Sequence, residues 1–501
     1  MVALLDHLSF GFAIAVSPEN LFYCLIGALL GTLIGVLPGL GPVATMAMLL
    51  PITFSLTPVS ALIMLAGIYY GAQYGGSTTA ILVNLPGESS SVVTAIDGYQ
   101  LARQGRAGEA LAVAAIGSFI AGCVATLILA AVAPSLTKVA QQFGPPEYFS
   151  LMCLGLAAAV VLASGSVLKS VAMVFLGLLL GMIGTDVNSS VERYTFDVME
   201  LSDGLDFVPL AMGLFGITEI LRNLETAEDD RSVLLEPIRG LMPSMQTLKS
   251  VMPAIGRGTV IGSLLGILPG GGAVLSSFTA YIAEKKISKN KKQFGRGAIE
   301  GVAAPESANN AGAQTSFIPL LTLGIPSNAV MALMVGAMTI QGIIPGPQVM
   351  TRNPDLFWGM IASMWIGNAM LLVINLPLIG VWVRLLRVPY RMLFPAILLF
   401  CCIGAYTINN SAFGVWLMAV FGFLGYALWK LGFEAAPLLL GFVLGPMMEE
   451  NLRRSLLLSF GDLSVFVERP ISLTFLVLVA LLLATSVLPS LRRKREEVFV
   501  E

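Results

Sequence analysis

Two polar clusters stand out in a chain that is otherwise mostly apolar. Tyr74, Ser77, Thr78, Thr79 and Asn84 lie within eleven residues, beside Gly75 and Gly76. The second cluster begins "PESANNAGAQ" and supplies Glu306, Ser307, Asn309, Asn310, Gln314 and Thr315. Hydroxyls, amides and free backbone N–H groups suit a bound carboxylate, and their oxygens also suit Na⁺. Singly, such Ser and Thr residues serve as hydrogen bonds between helices. Two matched clusters suggest a binding surface instead. Glu306 is an ionisable group among apolar neighbours, the kind that marks an ion or proton site at membrane depth. Its distance of ten residues from Arg296 also allows a place at the interface. Glu88 shares that ambiguity, and Asp97 reads as a surface residue.

Each cluster follows a broken apolar stretch. "GALLGTLIGVLPGLGP" (27–42) aligns with "GTVIGSLLGILPGGGA" (258–273), with eight of sixteen positions identical. Gly27, Gly31, Gly35 and Gly39 match Gly258, Gly262, Gly266 and Gly270. Glycine at every fourth position lines one helix face and lets another backbone approach closely. Pro38 and Pro269 then break the helix, and Pro86 and Pro326 do the same after the polar clusters. A kink in a crowded helix is the plainer reading of one such break. Repeated at equivalent places, the breaks suggest paired half-helices whose free N–H groups hold an anion. On this reading Gly39, Gly41, Gly270, Gly271 and Gly272 join Tyr74 to Thr79, Asn84, Asn309, Asn310, Gln314 and Thr315 around the solute. Glu306, Asn310 and Ser77 serve ion coupling.

The composition requires a membrane. Hydrophobic residues make up 56% of the 501 and charged residues only 12%, about half the share of a soluble domain. Charge-free runs such as Ala110–Ala133, Leu356–Val383 and Met392–Trp429 reach or exceed the roughly 20 residues that span a bilayer as a helix. The expected fold is an all-α integral membrane protein with about 11 transmembrane helices, between 9 and 13, some of them discontinuous or re-entrant. Ala435–Met448 is too short to cross unaided and reads as a half-helix.

Residues 1–222 form one half, 223–250 a polar linker, 251–491 the second half and 492–501 a basic tail. Counting basic residues places Arg103 and Arg106, the stretch 284–296, Arg384 to Arg391, Arg453 and Arg454, and the tail on the cytoplasmic side. The loop 186–206, with six carboxylates and one Arg, goes outside. Equivalent loops of the two halves then fall on opposite sides, which is an inverted-topology repeat.

Several classes are excluded or disfavoured. No G-x-x-x-x-G-K-[ST] nucleotide loop, G-x-S-x-G or H-E-x-x-H occurs, so neither ATP hydrolysis nor a hydrolase is indicated. With His7 as the one histidine, no nucleophile–base pair is evident, and no enzyme is expected. The five cysteines lie in apolar segments without metal or disulfide spacing. No cofactor is expected beyond a coupling Na⁺ or H⁺, and no nucleic acid or nucleotide partner. The first twenty residues carry no Lys or Arg, so no cleaved signal peptide is expected.

"LLGTLIGVLPGLGPVATMAMLLPITF", "YYGAQYGGSTTAILVNLPGE" and "GRGAIEGVAAPESANNAGAQTSFIPLLTLGIP" closely resemble the large membrane subunit of the bacterial tripartite tricarboxylate transporters. The resemblance runs through essentially the whole chain. It implies a translocation subunit in the inner membrane, working with a small membrane subunit and an extracytoplasmic solute-binding protein. It further implies secondary uptake of citrate or another di- or tricarboxylate, driven by Na⁺ or H⁺. A passive carboxylate channel or facilitator is the alternative reading.

Overall fold

The structure is a computed structural model that describes residues 2–37, 40–163, 166–186, 188–225, 240–268, 272–386 and 390–487. Helices build nearly all of it. The one strand pair is a two-residue antiparallel ladder, Gly184–Thr185 with Glu192–Arg193. Among the described residues, seven helices are long and apolar enough to cross a membrane, the longest being Ala107–Ala140. Shorter apolar helices, including Val167–Gly181 and Ala329–Ile340, lie between them. The chain is thus an all-α, multi-pass membrane protein. Pro58–Val83, although 26 residues long, is too polar to count among the seven.

Two helical hairpins organise the molecule. Pro18–Gly35 and Pro42–Leu49 form the first. Met245–Gly266 and Gly272–Ile287 form the second. Ser17 and Ser244 start the leading arms by accepting N–H bonds from Asn20 and Thr247, as N-caps do. Each leading arm lies along one long polar helix, Pro58–Val83 or Glu300–Thr315. The fit depends on absent side chains. A Cβ on Gly27, Gly31 or Gly35 would collide with the carbonyl oxygens of Met64, Ile68 and Ala72. One on Gly258, Gly262 or Gly266 would collide with those of Ala304, Ala308 and Gly312. Both ridges step by four residues on both partners.

The open ends of the two hairpins are fastened to different elements. At the open end of the first, Ser60 donates to Asn20 at 2.7 Å and Gln341 Nε2 donates to the Thr53 carbonyl at 3.1 Å. At the open end of the second, Thr247 donates to Glu109 at 3.0 Å, and Gln104 Nε2 donates to the Arg296 carbonyl at 2.8 Å. Arg257 and Glu284 brace the two arms of this hairpin with paired bonds at 2.8 and 2.7 Å.

Four sequence expectations change. Asp97 is fully buried rather than on the surface. Its Oδ1 accepts the backbone N–H groups of Gly295, Gly297 and Ala298 at 2.8–2.9 Å. Its Oδ2 accepts from Tyr281 at 2.9 Å. A carboxylate so satisfied can leave water without a cationic partner.

Arg453 and Arg454 share an end with the acidic loop, not the opposite one. Arg453 pairs with Asp186 at 3.0 Å and Arg193 with Glu449 at 2.8 Å. Glu449 and Glu450 also pair with these arginines one turn along the same helix, so the basic pair carries little net charge. The segment 435–448 is part of one 24-residue helix, Ala435–Leu458. The linker is also shorter than 223–250, because 245–250 are the first turns of the second hairpin. Residues 226–239 and the tail 492–501 lie outside the described residues.

The glycine ridges give a direct test. Gly31→Leu and Gly262→Leu should each cost at least the roughly 1–3 kcal/mol of an overpacked core, lowering the melting temperature and the monodisperse yield in detergent. Gly256→Leu should not, because nothing lies within 4 Å of a Cβ there. Equal behaviour of all three variants in a thermal melt would remove the close-packing account.

Candidate functional site

The trailing arms of the two hairpins begin on one cavity of about 280 Å³, far above the roughly 10–15 Å³ that one water needs. Pro42 and Val43 line it from the first hairpin, and Gly272, Ala273 and Val274 from the second. Four helices begin on its wall, at Pro42, Gly272, Ala329 and Ala435. The first N–H groups of a helix lack partners within it and carry partial positive charge. No side chain caps the helices that start after Gly41 and Glu434. Asn328 caps its own helix, accepting from Met331 N at 3.0 Å, and turns its Nδ2 to Ser316 at 3.3 Å.

Two carboxylates share this wall, Glu88 and Glu434. Glu88 Oε1 accepts from Asn309 Nδ2 at 2.8 Å, and Asn309 Oδ1 accepts from Gln73 Nε2 at 3.4 Å. The polar groups of Pro58–Val83 and Glu300–Thr315 thus meet across the bundle. One helical turn from Asn309 is Glu306, only 1% exposed. Ser77 donates to its Oε2 at 2.7 Å and Thr94 to its Oε1 at 2.5 Å. Asn310 Nδ2 donates to Ser118 Oγ at 2.7 Å and to the Glu306 carbonyl at 3.1 Å. Among the described residues, no Lys or Arg pairs with Glu306 or Glu88. Glu306 is therefore buried within the protein.

The arrangement can hold an anion at the helix starts and a cation at the carboxylates. Of the residues singled out in the sequence, Ser77, Glu306, Asn309 and Asn310 gather in this network, and Gly272 lines the large cavity. Gly41 precedes Pro42 and lies opposite Gly87 and Glu88. Tyr74, Ser77 and Thr78 line a smaller cavity with Glu306.

Others build the frame. Gly75 packs on Val36 and Gly76 on Gly87, while Thr79 donates to the Val36 carbonyl at 2.7 Å. Thr315 bonds back to Ala311 at 3.1 Å, and Gln314 accepts from Thr126 at 3.3 Å. Asn84 is exposed and lines neither cavity. It ends its helix in the left-handed region at φ 58°, as Gly324 does at φ 75°, and Asn and Gly suit that conformation. Pro86 and Pro326 each follow two residues later, in the breaks beyond. Pro38, Gly39, Pro269, Gly270 and Gly271 lie outside the described residues.

Gln73, Thr94, Ser118, Asn328, Asn375 and Glu434 were not legible as site residues. Asn375 did carry a signal, being an amide inside a 28-residue charge-free run.

Residues 21–440 match the family model described as the tripartite tricarboxylate transporter TctA family. The chain belongs to that family. It is therefore a subunit of a tricarboxylate transporter, from a family of transporters and not of enzymes. It is similar to an Agrobacterium vitis protein described as an uncharacterised 52.8 kDa protein in the TAR-I ttuC' 3' region, 59% identical over 501 residues and all of both chains. A second Agrobacterium vitis protein, uncharacterised and from the TAR-II ttuC' 3' region, is 62% identical over 240 residues, 48% of this chain and 99% of its own. No solved structure matches.

Asn309 is the bridge between the large cavity and the Glu306 network. Asn309→Leu should leave Glu88 without its amide donor, at about 1–3 kcal/mol for a stranded buried group, and reduce solute uptake at least tenfold in cells that retain the protein in their membranes. Uptake at the parental rate would remove Asn309 from the site.

Proposed function

We propose that this chain is the translocation subunit of a binding-protein-dependent secondary transporter. It imports a small carboxylate, citrate or another di- or tricarboxylate, by symport with Na⁺ or H⁺. A small membrane subunit and an extracytoplasmic solute-binding protein complete the machine. It sits in the bacterial inner membrane with a cytoplasmic C-terminus, and its two halves are inverted-topology repeats.

The observation that carries this reading is the convergence of four helix starts, two of them the trailing arms of the hairpins, on one cavity. Irregular backbone at membrane depth survives only where protein or a watery space satisfies it, and transporters use such turns to hold anions. The duplicated glycine ridges and the left-handed Asn84 and Gly324 before Pro86 and Pro326 support the repeat. Glu88 and Glu434 on the same wall support co-binding of a cation. Gln73 and Ser77 on one helix, with Glu306, Asn309 and Asn310 on another, join the carboxylate cavity to the coupling group within one turn.

Proteoliposomes holding the two membrane subunits, supplied with the binding protein and labelled citrate or succinate, provide the test. Internal label should exceed external by at least about tenfold, or 1.4 kcal/mol, under an inward Na⁺ or proton gradient. An ionophore should abolish the excess. Uptake that merely equilibrates would replace symport with facilitation.

A further inference from the structure

We infer that the small cavity beside Glu306 is a Na⁺ site, with Tyr74 and Asn375 as ligands in addition to the Glu306 carboxylate. This rests on the reading of the chain as a cation-coupled transporter and specifies its ion. The cavity measures about 20 Å³, room for one water-sized occupant. Its polar lining consists of Tyr74, Ser77, Thr78, Ser118, Glu306 and Asn375, so oxygen atoms dominate.

Two of those oxygens are buried with no hydrogen-bond partner, the Tyr74 hydroxyl and Asn375 Oδ1. Their residues are 5% and 4% exposed. Asn375 spends its Nδ2 on the Leu371 carbonyl at 2.9 Å, which leaves Oδ1 as its free acceptor. Buried acceptors without partners are costly and point to a bound donor or cation.

Three occupants compete. A water would satisfy Tyr74 and Asn375 but leave the Glu306 charge uncompensated in a buried place. A proton on Glu306 removes the charge, and with a water beside it Asn375 Oδ1 also gains a donor; that pair responds to pH and not to Na⁺, and the binding experiment below separates it from a cation. A hard monovalent cation answers both as a single occupant, because it takes neutral oxygens together with a single carboxylate. A divalent ion would find too little charge. Glu306 is the one carboxylate lining this cavity, and the described residues hold no cluster of three or more His, Cys, Asp or Glu side chains.

The site sits one turn from Asn309 along Glu300–Thr315 and one turn from Gln73 along Pro58–Val83. Filling it therefore orders the same two helices that present Asn309 and Gln73 to the large cavity.

Binding is measured on the purified full-length protein in detergent, with no carboxylate present, by thermal melting and ²²Na⁺ binding against K⁺ and choline. Na⁺ should raise the melting temperature selectively. Asn375→Leu and Tyr74→Phe should raise the half-saturating Na⁺ concentration at least about tenfold, as loss of a supporting ligand does. Asn368→Leu serves as control, since this amide is also buried and unpartnered but lies outside the cavity, and it should leave that concentration unchanged. Should Asn375→Leu fail to fold, the conservative Tyr74→Phe decides alone.

Equal responses to Na⁺, K⁺ and choline, or a response to pH alone, would overturn the proposal. So would an unchanged Na⁺ response in the folded cavity variants. Because no solute is present, Na⁺ binding without carboxylate uptake would count against the proposed transport and not against this site.

Discussion

An interrupted helix in a hydrocarbon layer must find something polar for its unpaired peptide groups, since each one left bare costs several kcal/mol. That constraint shapes the rest of this protein. The two hairpins end their leading arms at Gly35 and Gly266, and both trailing arms restart on the same cavity, at Pro42 and Gly272. The polar helices Pro58–Val83 and Glu300–Thr315 lie beside those restarts. The remaining apolar helices surround an interior that would not survive against lipid.

The charges inside follow the same logic. Glu306, Glu88 and Asp97 are each held by neutral donors, from hydroxyls, amides or backbone N–H groups. None of them relies on a buried lysine or arginine among the described residues. Neutral donors offset part of the desolvation of a carboxylate while leaving it able to attract a cation. Asp97 differs in purpose, because its four donors come from the loop 295–298 and Tyr281, and it fastens the second half to the first.

The sequence displayed the repeating elements plainly. Glycines at four-residue spacing, proline breaks and two polar clusters all report local geometry, and local geometry is what a periodic pattern encodes. The misreadings concern long-range partners. Asp97 looked like a surface charge because its donors lie about 200 residues away in sequence. Arg453 and Arg454 and the loop 186–206 were assigned to opposite sides because a count of charges does not see Arg453 pair with Asp186 or Arg193 with Glu449. Glu434 and Asn328 escaped notice because only folding brings their helix starts to the hairpin turns. Of the amides that matter, Asn309 and Asn310 announced themselves within a cluster, whereas Asn375 stood alone among apolar residues.

The glycine ridges also have a mechanical consequence. Side chains can swing past one another, but main chains touching at three successive turns cannot slide without breaking all three contacts together. Each hairpin is thereby bound to its long polar helix as a single slab. The slabs meet one another through side chains instead, at Asn309 against Glu88 and at Ser77 against Glu306.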